Sequence, residues 1–284
     1  MRRSVRRKIA VATWRAPTEG RIHCRAEVDV SAALAHVERL RERTGVRVTL
    51  THLVGAALGR ALREVPEARA RVVLGRLRPL EDCTVAFAVD VRGGEDLAPV
   101  RVEHADRLTT LEVARVLEQR AASLRAGSDT HHGRTAALVR HVPTVGMRVV
   151  LDVASLVTGG LGAPLFVQPA RPLGSGFVSN VGTLGLDEAF LAPVPFARCP
   201  VYLSVGAVRD RPVAVDGQVV VRPVSVLVAT ADHRIVDGAH AGRLQSIVVD
   251  LLADPERLDR PRLSAEPGRR RPAGPSTHRG RAVP

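Results

Sequence analysis

Apolar positions recur along this chain in two periods, and the changes between them mark out its elements. Ile22 to Val30 (IHCRAEVDV) alternates as a half-buried strand does, and Ser31 stands where it would cap a following helix. Ala33 to Glu42 has helical spacing, closed by Gly45. Thr49 to Glu64 repeats that spacing, with Leu53, Ala56, Ala57 and Ala61 on one side and Pro66 as the stop. Thr84 to Val91 and Asp96 to Val102 read as strands about a Gly93-Gly94 turn, and Leu108 to Leu124 as a long helix with Leu111, Val113, Ala114, Val116 and Leu117 inward. Phe177 to Leu186 is an apolar strand end running into a glycine loop. Tyr202 to Val208 and Gln218 to Val221 predict a hairpin-like pair joined through Pro212 to Gly217. Val224 to Ala231 (VSVLVATA) reads as a buried strand, and Ala241, Leu244, Ile247, Val248 and Leu251 as the inner face of a last helix.

Two stretches stand apart. Between Gly127 and Ser175 lies Val145 to Val157, a helix or strand candidate interrupted by Arg148 and Asp152 and followed by Gly159, Gly160 and Gly162. It suits either an extra packed helix or an amphipathic element that covers a site, a partner or a membrane surface. From Ser264 the chain is Pro, Gly, Ser and Arg, a composition that predicts a disordered tail.

The chemistry concentrates at Asp232-His233-Arg234-Ile235-Val236-Asp237-Gly238, between a buried strand and a helix. A neutral imidazole at such a strand end can take a proton from a thiol or hydroxyl near neutral pH. Asp237 can fix the loop by pairing with an arginine, although an Asp before a helix is most simply an N-cap. Ser179-Asn180 before Gly182 is, on its own, a plain turn.

DHRIVDGA (232–239) resembles the active-site signature of the dihydrolipoyl acyltransferases, the core components of 2-oxoacid dehydrogenase complexes. Condensation domains of peptide synthetases carry a related motif, but with a second histidine where Asp232 stands here. The remaining segments agree with the acyltransferases: RRKIA (6–10), EVDV (27–30), VPEARARV (65–72), APV (98–100), FVSNVG (177–182) and RPVAVDGQVVVRPV (211–224) fall in the family's order. The resemblance covers about 4–127 and 174–260.

It implies an α/β fold, a two-layer sandwich of a mixed β-sheet and helices like that of chloramphenicol acetyltransferase. Residues 1–262 form the catalytic domain, with an atypical insert at about 128–174, and 263–284 form a basic tail. The implied reaction moves an acyl group between a thioester, acyl-lipoamide or acyl-CoA, and a thiol such as coenzyme A. His233 is the implied general base, Ser179 the oxyanion donor, and Asp237 holds the loop through Arg6 or Arg7. The resemblance is to a catalytic domain alone, so lipoamide is expected in trans. A homotrimer with the site between subunits is implied, and no metal is required. A catalytically silent assembly component of such a complex, or an acyltransferase to a non-lipoyl small molecule, is the alternative.

Composition changes this picture little. The net charge is +13 over 284 residues, yet Lys8 is the one lysine and the arginines are dispersed; with one Trp, one Tyr and five Phe there are few stacking platforms, which argues against nucleic-acid binding. Cys24, Cys83 and Cys199 are odd in number and far apart, which suits reduced thiols in a cytoplasm rather than a disulfide framework or zinc site. His131, His132 and His141 lack acidic or cysteine partners at ligand spacing. MRRSVRRKIA has no signal-peptide apolar run, and no stretch is long and apolar enough to predict a membrane span.

Overall fold

A computed structural model describes residues 20–90, 97–125, 144–165 and 169–260. The strands are β1 (Arg21–Asp29), β2 (Ala70–Val73), β3 (Arg76–Pro79), β4 (Val85–Asp90), β5 (Leu97–Val102), β6 (Gly176–Asn180), β7 (Val201–Val205), β8 (Arg209–Val215) and β9 (Gln218–Asp232). The helices are α1 (Ser31–Thr44), α2 (Leu50–Glu64), α3 (Thr110–Arg125), α4 (Thr144–Ala154), α5 (Gly238–Ala253) and the short α6 (Glu256–Asp259). Seven strands make one mixed sheet in the order β1-β9-β7-β6-β4-β5, with β8 paired to β9; β2 and β3 form a separate hairpin.

β9 is the spine of the sheet. The two strands expected at 218–221 and 224–231 are one strand of 15 residues. Pro223, which suggests a break because it lacks an N–H, sits where β9 changes partners. Gln218 to Val224 pair with β8; from Val224 onward, β9 pairs with β1 on one edge and, over Leu227 to Ala231, with β7 on the other. The expected hairpin is therefore corrected. Most of 212–217 is strand β8 and the turn is Asp216-Gly217, both with positive φ (51° and 78°), the backbone that matches strand twist in a tight hairpin. Tyr202 pairs with Thr230, at the far end of β9 from the hairpin.

The helices cover one face of the sheet. Their shared core takes in Val28, Leu53, Leu58, Val178, Leu203, Leu227, Leu244 and Leu252. α2 lies at its centre, buried from Leu53 to Leu62, where even Arg60 is 2% exposed and donates to the carbonyls of Asp106, Leu108 and Leu258. Those three bonds satisfy a charge that burial would otherwise make costly. The N-terminus of α2 is closed by Thr49 with His52, whose Nδ1 accepts the Thr49 N–H at 3.1 Å. Ser31 does not cap α1 as expected. It is the first helical residue, and the preceding Asp29 carboxylate takes both its N–H and its hydroxyl, at 2.9 and 2.6 Å. Gly45 ends α1 in the left-handed region, φ 68°.

The other face carries a smaller cluster of Ala86, Leu173, Ala197, Cys199 and Tyr202. In the insert, the candidate at 145–157 is helical: α4 runs into a π-helical stretch, Ser155–Leu161, packed against Pro195–Ala197 and β2. Met147 and Ala154 are buried while Val149 and Val153 are exposed, so the helix is packed along one edge only. Arg2 to Ala12, the Gly93-Gly94 turn, His131, His132, His141 and the tail lie outside the described residues. No described helix is long and apolar enough to cross a membrane, and no metal-ligand cluster occurs among the described residues.

Gly59 lets α2 approach the loop before α3. A Cβ there would stand 2.7 Å from the Ala105 carbonyl carbon and 2.9 Å from the Asp106 nitrogen, both backbone atoms that cannot swing aside. Gly59→Ala is therefore expected to destabilise the fold by about 1–3 kcal/mol despite alanine's better helix propensity. Urea unfolding checks this, and an unchanged or raised midpoint contradicts it.

Candidate active site

β9 delivers His233. Its register against β1 and β7 is held by hydrogen bonds on both edges, within a run, Val224 to Ala231, that is buried on both faces. The strand ends at Asp232, and the His233 N–H donates to the Gly20 carbonyl at 3.1 Å. The His233 ring is folded over its own turn, with Nδ1 2.9 Å from the Val236 carbonyl oxygen. A carbonyl oxygen only accepts, so Nδ1 carries the hydrogen and Nε2 of the neutral ring holds a free lone pair. His233 is exposed as a residue.

Asp232 and Arg234 flank the histidine and lock together. Arg234 Nε is 2.9 Å and Nη2 2.6 Å from the two carboxylate oxygens of Asp232, a bidentate pair across the turn. Sequence reasoning treated Asp232 only as the absence of a second histidine. An Asp and an Arg two residues apart around a turn are the signal that would have indicated the clamp.

Ser179 lies on β6. Val178 belongs to the core under the helices and Phe177 stacks on Tyr202 on the other face, so alternation puts Ser179 on the face away from the helices, half-buried. Asn180 anchors the strand end: its Nδ2 donates to Thr51 Oγ1 at 2.7 Å and its Oδ1 accepts the Thr183 N–H at 3.2 Å. That tie of the Ser-Asn turn to the start of α2 is not visible in the sequence.

The structure does not bring Ser179 and His233 together within one chain. Ser179 is level with Ser204 on β7, and Ser204 with Val228 on β9. At strand spacing, Val228 is about 13 Å from Asp232 along β9, and β6 is about 10 Å to the side, roughly 16 Å in all, with His233 beyond. Strand side chains stand roughly perpendicular to the sheet, so the serine does not lean toward the histidine.

Asp237 is the N-cap of α5. Its Oδ1 accepts the His240 N–H at 2.9 Å, and the His240 ring closes the capping box from the other side. That backbone hydrogen bond, against a smaller desolvation effect, holds its carboxyl below the ordinary carboxylate range. Arg6 and Arg7, the expected ion-pair partners, lie outside the described residues. A cleft of about 360 Å³ opens beside the loop, reached by Asp232, Arg234 and Ile235 on one wall and by Arg71, Asp152 and Arg198 on the other.

A mixed sheet covered by helices on one face, with a histidine just past the C-terminal end of its longest strand, defines an α/β sandwich core. The family model for the 2-oxoacid dehydrogenases acyltransferase catalytic domain matches residues 1–135 and 173–259. The chain belongs to that family. The unmatched 136–172 fall within the insert expected at about 128–174. The dihydrolipoyllysine-residue acetyltransferase component of the pyruvate dehydrogenase complex from Mycoplasma capricolum is 25% identical over 217 residues, 76% of this chain and 40% of that protein. The succinyltransferase component of the Escherichia coli 2-oxoglutarate dehydrogenase complex is 31% identical over 132 residues, 45% of this chain and 31% of that protein. The chain thus spans less than half the length of these curated relatives. A probable dihydrolipoamide acetyltransferase from Listeria monocytogenes superposes with a TM-score of 0.64 at 17% identity, over 88% of this chain and 90% of that one. The cubic core of a pyruvate dehydrogenase multienzyme complex gives 0.61 at 20% identity, over 85% and 84%. These two likenesses show the fold.

The cap and the ion pair predict different outcomes at Asp237. Asp237→Ala should lower the melting temperature, and Asp237→Asn should not, because an amide oxygen caps equally well. Were an arginine pair the main role, Asn would behave as Ala. The folded carboxyl lies below its unfolded value. Its stabilisation is therefore present above about pH 4 and lost as pH falls through the folded value. The gap between parent and Asp237→Ala should narrow in acid as the charge-dependent part of the cap is lost, as thermal melts across that range will show.

Proposed function

We propose that this chain is an acyltransferase that moves an acyl group between a thioester and a thiol, with His233 as general base and Ser179 as oxyanion donor. The observation that carries this reading is the bond from His233 Nδ1 to the Val236 carbonyl, which leaves Nε2 as the proton acceptor. The family membership supports the reaction class, and a serine and a histidine are among the residues studied in the catalytic mechanism of the Azotobacter vinelandii dihydrolipoamide acetyltransferase. Coenzyme A and a lipoamide carried by another protein are the thiol partners we assign, with residues 1–262 as the catalytic domain and 263–284 as a tail. We place the enzyme in the cytoplasm.

In the proposed reaction Nε2 takes the proton of the acceptor thiol, and the thiolate sulfur attacks the thioester carbonyl carbon. The negative charge moves to the carbonyl oxygen, where the Ser179 hydroxyl donates a hydrogen bond. Collapse of the tetrahedral intermediate breaks the original carbon–sulfur bond, and the departing thiolate recovers the proton from the imidazolium. Base and oxyanion donor must each lie about 3 Å from atoms of one reacting centre. With roughly 16 Å or more between them in one chain, we assign the two groups of a site to neighbouring subunits of a homotrimer.

With acetyl-CoA and dihydrolipoamide as substrates, His233→Ala should lower kcat by at least about 10². Ser179→Ala should lower kcat by about 10²–10³ with little change in KM, because its hydrogen bond strengthens as charge develops. Parent-like rates from His233→Ala would overturn the assignment, and a raised KM at unchanged kcat would make Ser179 a binding residue only.

A further inference from the structure

We infer that the chain carries an oxyanion-binding site centred on Arg71, where the family core meets the insert. Arg71 lies on β2 and is 8% exposed, and its Nε and Nη1 are shut off from solvent with no hydrogen-bond partner. A guanidinium does not shed its charge, so one buried without a partner is stabilised by an anion brought against it.

The groups around it are mostly of the same sign. Arg171 comes from the insert, and a Cβ on Gly162 would lie 3.2 and 3.3 Å from Arg171 Nε and Nη2 and 3.5 Å from Arg71 Nη2. The two guanidiniums thus meet over one glycine, whose φ of 74° already disfavours a side chain. Arg171 Nε is also buried without a partner. Arg198 approaches from the third side, with Nη1 donating to the Val72 carbonyl at 2.6 Å and Nε to Ser155 Oγ at 3.0 Å. Two acids face the cluster: Asp82, 3.7 Å from Arg171 Nη1 and with its Oδ1 also buried without a partner, and Asp152, which lines the same cleft as Arg71 and Arg198. Burial first, then Arg171 and Arg198, lower the proton affinity of Arg71, with Asp82 opposing them.

The backbone is also constrained here. Arg171 (φ 52°) and Arg198 (φ 48°) are two of the five described non-glycine residues in the left-handed region. Bulky residues adopt it at a cost, and such positions cluster at binding sites. Arg71 and Arg198 both face the 360 Å³ cleft, which has room for a small molecule. The fork of an arginine matches a carboxylate or phosphate in bidentate fashion, so the ligand class is a small carboxylate- or phosphate-bearing compound. The site stands on this geometry and does not depend on the acyl-transfer reading.

The test is a thermal melt of the full chain titrated with sodium phosphate or sodium succinate, against sodium chloride at matched ionic strength. One of the two anions should raise the melting temperature saturably where chloride does not. Phosphate as the better ligand identifies a phosphate-bearing compound, and succinate a carboxylate-bearing one. Arg71→Met should weaken the response roughly tenfold or more, the loss of a charge-assisted hydrogen bond. Without ligand it should melt no lower than the parent, since it removes an unpaired charge. Arg71→Lys, which keeps the charge and loses the fork, should also bind more weakly and decides the matter should the Met variant not fold. No anion effect beyond that of chloride, or an effect undiminished in the folded variants, overturns the proposal.

Discussion

One register governs the site: Ala231 of β9 lies opposite Ile22 of β1 on one edge and Val201 of β7 on the other. Hydrogen bonds on both edges fix it, along a run, Val224 to Ala231, that is buried on both faces. From that pairing follow the point where His233 leaves the sheet, the start of α5 at Gly238, and the level of Ser179 two strands away. The positions of the proposed catalytic groups are therefore set by the sheet itself, the most rigid part of the fold, rather than by loops.

The same register places the two groups of the proposed site far apart on each chain. At one end of the sheet a histidine has its tautomer fixed by the Val236 carbonyl and its loop clamped by the Asp232–Arg234 pair. At the other a serine has its strand end tied to α2 through Asn180. Each group is well supported and neither reaches the other. Assembly then becomes a condition of the proposed chemistry, and the geometry of the copies, not of one chain, sets its rate. The arginine cluster adds a third feature to the histidine end. Arg171 comes from the stretch the family model leaves unmatched, whereas Arg71 and Arg198 lie within the matched portion.

Local signals in the sequence found the local features. Alternation located β1, strand runs about a glycine turn located β4 and β5, an apolar run located the buried half of β9, and helical spacing with Gly45 and Pro66 located α1 and α2. Features that depend on distant residues were not legible. Pro223 hides the continuity of β9, because whether a missing N–H breaks a strand depends on which neighbour stands opposite. β8 passes for a connector because its outward residues are Arg and Asp, and β2 and β3 are too short to show a period. Asp29 rather than Ser31 serves the start of α1, a choice settled by the strand's exit direction. The histidine and the serine were visible through motif resemblance, but their separation needed the sheet order. Arg71, Arg171 and Arg198 are spread over more than a third of the chain, and nothing local links them.

The divided site is tested most directly by mixing His233→Ala chains with Ser179→Ala chains under conditions that exchange subunits. Neither variant can assemble an intact pair with its own kind, whereas a mixed trimer has boundaries where a sound Ser179 meets a sound His233. A divided site predicts that acyl transfer, low in each variant alone, rises on mixing, and that sedimentation gives a trimer or a multiple of three. A fully active monomer, or variants that exchange subunits yet gain no activity, would contradict it.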